Sequence, residues 1–278
     1  GACAAQACAP FRDAAAVACG QCVEGAYQSG QACRPCRDGL DTLPMIFCCI
    51  SALAALSAVT IAINRDMINQ TGWSIGVMVS LTCLFTAIQT MSVYLSLNMT
   101  WSEPLVSLME ALALLTFDLS LVKTECLMSI NPVSEHLFRL LIPLVFLTYV
   151  ALVLAVKRRL VLEMRFAPEF LNASGSILMI FFVSICMSVF DPLVCYAHPG
   201  GAYASMRREP SVLCFAGAEH GAMLAAGVFA FILTPLPFLS AAIFAVWRYP
   251  RYIAMHSAAF LKAFRFLFFR FEPSAYYF

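Results

Sequence analysis

The sequence predicts an all-α membrane bundle of about five transmembrane helices plus interfacial helices, with a small disulfide-rich module in front of it. Three observations lead there. Of 278 residues, 62% are hydrophobic and 12% charged, about half the charge of an ordinary soluble domain. The apolar residues fall in uncharged blocks of about the 20 residues that cross a hydrocarbon core. Six of the thirteen cysteines fall within the first 36 residues.

Residues 1–42 form the module. They hold Cys3, Cys8, Cys19, Cys22, Cys33 and Cys36 among Gly and Ala with few large apolar side chains. A segment this small cannot bury enough apolar surface to fold alone, so the cysteines serve as staples or metal ligands. In an oxidising compartment they form disulfides. In cytosol, Cys19, Cys22, Cys33 and Cys36 read as a four-thiolate zinc site, because two Cys-x2-Cys pairs suit tetrahedral coordination. The pairing of Cys3, Cys8 and Cys126 is left open. Cys48, Cys49, Cys83 and Cys186 lie in apolar runs and read as inert core thiols.

Residues 43–252 form the transmembrane bundle, with spans at about 43–64, 74–97, 136–156, 173–194 and 221–247. Trp73 stands where an aromatic belt residue would, before the second span. Pro235 and Pro237 predict a kink in the last span, since each removes a backbone donor and clashes with the preceding turn. Residues 103–122 are apolar but contain Glu103, Glu110 and Asp118. Each acid at mid-bilayer costs about 2.5–3.5 kcal/mol, so this stretch reads as an interfacial helix. Residues 253–278 are a cytoplasmic amphipathic tail. Phe260, Leu261, Phe264, Leu267, Phe268 and Phe271 recur at helical spacing, with His256, Lys262 and Arg265 on another face, which suits a helix in the headgroup plane. The alternative is a helix packed against the bundle.

Two arrangements satisfy the positive-inside rule. With the module outside and five spans, Arg65, Lys157, Arg158, Arg159, Arg165, Arg248, Arg251, Lys262, Arg265 and Arg270 all face inward. With the module inside, residues 103–122 become a sixth span. Glu110 and Asp118 favour the first arrangement. Asn98 opens an Asn-Met-Thr sequon that faces outside only there. Cys195 and Cys214 bound a polar loop that is outside in both, where a disulfide between them would pin two neighbouring spans.

The run Cys19-Gly20-Gln21-Cys22 through Cys33-Arg34-Pro35-Cys36 resembles the ephrin-receptor-like cysteine-rich repeat over about 20 residues. The resemblance implies crossed disulfides, Cys19–Cys33 and Cys22–Cys36, with Cys3 and Cys8 as the remnant of a preceding repeat. The membrane part is similar to large multipass proteins of algae, oomycetes and dinoflagellates described as resembling transient-receptor-potential channels. The features that carry this are Trp101-Ser102-Glu103-Pro104, Glu125-Cys126-Leu127, the loop from Cys195 to Cys214, and Phe266-Leu267-Phe268-Phe269-Arg270-Phe271-Glu272-Pro273. In that family the repeats are extracellular and the aromatic tail leads to further membrane segments, so the sequence reads as part of a longer chain.

Net charge near +1 and the lack of a long basic run argue against nucleic acid. No nucleophile elbow, zinc-protease helix or phosphate-binding loop occurs, and the four histidines are dispersed. The chain therefore reads as a non-enzyme without cofactors. The first expectation is a cell-surface glycoprotein in the plasma or ciliary membrane with a receptor or anchoring role. Its partners would be membrane lipid and an extracellular protein or other membrane subunits. The alternative is a channel-like transport subunit, for which Glu110, Asp118 and Asp191 are the candidate intramembrane groups, with Glu219 and His220 near the interface.

Overall fold

A computed structural model describes residues 8–14, 19–29, 32–36, 42–64, 72–95, 126, 131–161, 165–198 and 203–268. The elements run β1 (Ala26–Ser29), β2 (Ala32–Pro35), α1 (Thr42–Ile63), α2 (Gly72–Leu95), α3 (Pro132–Leu160), α4 (Phe166–Phe190), a 3-10 turn (Asp191–Leu193), β3 (Cys195–Ala197), β4 (Ala204–Met206), α5 (Ala218–Leu233), α6 (Pro235–Ala254), α7 (Ala258–Ala263) and α8 (Arg265–Phe268).

Helices form where uncharged runs satisfy their backbone groups internally, and they end at recognisable signals. α3 starts on Pro132, which supplies a pre-set φ at a position whose N–H is not needed. It ends in Lys157, Arg158 and Arg159, cations that favour a helix carboxyl terminus. Pro192 halts α4 in a 3-10 turn. The prolines expected to kink the last span break it instead. α5 ends at Leu233, Thr234 leaves the helical region, and α6 restarts with Pro235. Three stretches among the described residues are long and apolar enough to cross a membrane: Pro132–Leu160, Phe166–Leu193 and Ala218–Ala254. α1 and α2 occupy the first two expected spans and carry no charged residue.

The residues group into two compact units. The first unites Gly1–Cys48, Leu95–Leu141 and Cys186–Phe231. It contains both antiparallel hairpins, β1–β2 and β3–β4, and a core of Met206, Val212, Cys214 and Met223. β4 also bridges to Leu213 through Ser205.

The second unit unites Cys49–Tyr94, Ile142–Ile185 and Ile232–Phe278. Val150 and Leu154 of α3 meet Ala173 and Ile177 of α4, with Leu56 of α1 against them. The Phe181 ring joins three helices, 5.1 Å from Phe85 edge-on and 6.2 Å from Phe146. Tyr149 ties α3 to α1, its hydroxyl 2.8 Å from Ser57 Oγ and donating to the Leu53 carbonyl at 3.3 Å. Cys49 and Cys83, expected in a core, are exposed on their helices.

The expected tail helix is not continuous. α6 runs to Ala254, the chain turns through His256 at positive φ, and α7 and α8 follow as short pieces. Phe260 and Phe268 are buried against Ala245 and Tyr249 of α6. These aromatics are therefore spent on protein packing.

Candidate functional site

The first unit presents the cysteine module. Its backbone pairs in two places. The β1–β2 hairpin sets Gln28 opposite Cys33. A second ladder sets residues 11–13 beside 21–23, with Val23 N–H donating to Phe11 O and Asp13 N–H to Gln21 O. This second ladder decides the disulfides. It brings Cys8 to Cys19, while Cys22, beside Arg12, reaches Cys33. The Cys36 N–H donates to Gly25 O, and its sulfur joins Cys126, 90 residues away. The crossed pairs Cys19–Cys33 and Cys22–Cys36 are thus replaced, because the spacing is silent about the strand that carries Cys8. With Cys19, Cys22, Cys33 and Cys36 all in disulfides, no thiolate remains among them for the zinc alternative.

The loop after α4 is built in the same covalent style. Cys195 and Cys214 are joined, and the loop tip is a turn in which Val212 N–H donates to Glu209 O at 3.0 Å with Pro210 following, the position where proline's fixed φ fits. Buried His220 fastens both ends. Its Nδ1 accepts from Phe215 N–H at 3.3 Å, and its Nε2 lies 2.9 Å from Pro192 O. The sulfurs of Cys195 and Cys214 and a ring nitrogen of His220 lie within 4.8 Å of one another, but the disulfide occupies both sulfurs.

The module touches this loop at Gly20. A Cβ there would lie 2.8 Å from Ser211 N and 2.9 Å from Pro210 C, closer than carbon atoms tolerate. Only glycine allows the approach.

Next to that contact lies a half-buried ionic cluster. The Arg139 guanidinium, 4% exposed, pairs with Glu135 one turn earlier on α3, with Glu209 at 3.3 Å and with Asp191 at 3.8 Å. Arg208 also reaches Asp191, at 3.7 Å. Among the described residues, Glu135, Glu209 and Asp191 thus meet Arg139, and Asp191 also meets Arg208. Burial, and then the neighbouring Glu135 carboxylate, raise the Glu209 pKa to about 7 against the opposing pull of Arg139 and Arg208. His136, adjacent on α3, is buried.

The second unit has its own polar centre on α4. The Glu169 carboxylate, 5% exposed, takes Lys157 of α3 on one oxygen at 2.9 Å and Lys262 of α7 on the other at 3.0 Å. One turn on, Asn172 donates to Asn64 Oδ1 at 3.1 Å, and its own Oδ1 accepts the Phe266 N–H at 3.1 Å. Gly175 completes the seat, because a Cβ there would overlap the Phe266 ring. Lys262, expected on a face toward headgroups, is held by Glu169.

Of the residues singled out from sequence, Asp191 lies in the 3-10 turn inside the Arg139 cluster. Asn98, Glu110 and Asp118 lie outside the described residues, as do Cys3 and residues 103–122. Sequence reasoning missed Glu135, Arg139, Glu209 and Glu169, and gave Lys262 a different role. The signal for the first pair was present, an arginine inside an apolar run with a glutamate four residues before it. No family model, curated protein or solved structure matches the chain.

Proposed function

We propose that the chain is a multipass cell-surface membrane protein that holds its cysteine-rich module outside the cell in a receptor or anchoring role, with α1 and α2 completing five spans. The observation that carries this reading is the double attachment of the module, by the Cys36–Cys126 disulfide and by the close seat of Gly20 on Pro210 and Ser211. A module fastened twice transmits load or ligand binding to the chain behind it, which a module on a flexible linker would not. Four disulfides favour an oxidising compartment. α3 carries Glu135 in its first turn and three cations in its last, the polarity expected with its carboxyl end toward the cytoplasm. The ephrin-receptor-like resemblance agrees with use as an extracellular binding element.

The channel reading draws less support. Asp191, one of its three candidate acids, is engaged by Arg139 and Arg208.

Sidedness decides the first point. A membrane-impermeant label should reach a tag placed before Cys8 on intact cells, and should reach one inserted at 162–164 only after permeabilisation. The reverse pattern would restore a cytosolic module. Recordings from reconstituted protein should be silent, and a cation conductance lost in Asp191→Asn would replace the receptor reading with the channel one.

A further inference from the structure

Two lysines far apart in sequence meet at one carboxylate in the second unit. Lys157, in the last turn of α3, donates to Glu169 Oε2 at 2.9 Å, and Lys262 of α7 donates to Oε1 at 3.0 Å. One buried carboxylate cannot neutralise both. The mount beneath them is fixed. Asn172, one turn on along α4, accepts the Phe266 N–H and so ties the segment after α7 to α4, while Phe260 and Ala263 on either side of Lys262 are buried.

An ammonium group has three hydrogens to donate. Each lysine gives one to Glu169, which leaves two on each for a ligand, and both side chains are partly exposed. More cations stand close by in sequence. Among the described residues, Arg158, Arg159 and Arg165 are exposed, and none of them pairs with a carboxylate. From 157 to 169 the chain holds four bases and two acids, and Lys262 adds a fifth base, so the region stays cationic with both acids ionised.

The chemistry that matches this arrangement is a phosphate monoester. It is close to dianionic at neutral pH and offers three acceptor oxygens, which ammonium groups meet as point charges and guanidinium forks meet in pairs. The apolar neighbours place that phosphate on a lipid. Leu160, the last residue of α3, is 80% exposed directly after the three cations, and Val161 beyond it is exposed too. An acyl chain covers such side chains, and a soluble phosphate leaves them in water. Basic pockets between helices at the cytoplasmic side of a membrane are suited to anionic headgroups.

We propose that Lys157, Glu169 and Lys262 form the core of a binding site for a phospholipid with a phosphomonoester headgroup in the cytoplasmic leaflet. Glu169 is its positioning residue, holding the two ammonium groups at the spacing the phosphate meets. In both arrangements that satisfy the positive-inside rule these cations face the cytoplasm, so the site can fail without the receptor reading failing.

The test is titration of the purified full chain in detergent with phosphatidic acid and with phosphatidylcholine of the same acyl chains, read as bound lipid by native mass spectrometry. Phosphatidic acid should bind at least about tenfold more tightly, since each basic residue near a headgroup contributes about fivefold. Equal binding of the two lipids overturns the site. Removing one cation, in Lys262→Gln or in Arg159→Gln, should weaken phosphatidic acid about fivefold. Arg159 is exposed on the last turn of α3, so its replacement tests binding apart from folding, and unchanged affinity in both variants overturns the site as well. Glu169→Gln separates a built site from a diffuse patch. It adds positive charge, so a patch acting through net charge alone would bind about fivefold more tightly. A site that needs Glu169 to hold its lysines should bind about fivefold more weakly, and tighter binding overturns the proposal. Glycerol 3-phosphate in large excess should leave the lipid bound, whereas displacement would overturn the lipid as occupant in favour of a soluble phosphate ester.

Discussion

The two units bury carboxylates in opposite company. Residues of the first unit include twelve acids and seven bases, those of the second four acids and ten bases. In the first, three carboxylates crowd two arginines around Arg139. In the second, one carboxylate, Glu169, is shared by two lysines. The difference lies in what each cluster can tolerate. In the first an arginine gathers several carboxylates, and in the second a carboxylate gathers two lysines, so loss of the central group strands anions in one and cations in the other. The first unit adds disulfides and a strand-and-turn loop to hold its acids, and the second adds aromatic packing around α7 and α8.

The largest test of this contrast is Arg139→Met. Removing a guanidinium that meets all three carboxylates should destabilise the protein by about 3–5 kcal/mol, the penalty for stranding buried charge, measured as a shift in the unfolding transition in detergent. Replacing both Cys36 and Cys126 by Ala should cost about 2–4 kcal/mol, as expected for a long loop opened, and should raise proteolysis of residues 19–36 before any other segment. Glu169→Gln should cost less, about 1–3 kcal/mol, because Lys157 and Lys262 are 27% and 38% exposed and can turn to water. If Glu169→Gln proves as damaging as Arg139→Met, the two clusters are equivalent and the contrast fails. The smallest expected effect is Gly175→Ala, about 1–2 kcal/mol from displacing the Phe266 ring. Its readout is faster exchange confined to residues 258–268.

Much of the helical framework was legible because uncharged runs of fixed length have few alternatives. α3 and α4 fall where hydropathy and the flanking Lys157-Arg158-Arg159 put them. The break at Thr234 was half legible. Proline announces that a helix is disturbed there, but whether it bends or restarts depends on packing around buried Thr234 and Pro235. The module's pairing was not legible, since Cys-x2-Cys spacing fits several connectivities, and the ladder joining residues 11–13 to 21–23 leaves no periodic mark. Nor was the Arg139 cluster, whose acids Asp191 and Glu209 stand 52 and 70 residues from their arginine. The tail misled for a physical reason. Phe260, Phe264 and Phe268 at helical spacing suit a lipid surface and a protein groove equally, and the burial of Phe260 and Phe268 against Ala245 and Tyr249 separates the two.

The bond between Cys36 and Cys126 also makes a covalent ring of everything between them, α1 and α2 included. A protease that cuts once anywhere inside that ring leaves the chain in one piece. Such a molecule would run at full length on a gel without reductant and fall into two fragments once a thiol is added. Cleavage within the ring can therefore go unseen, and it becomes separation only when the surroundings turn reducing.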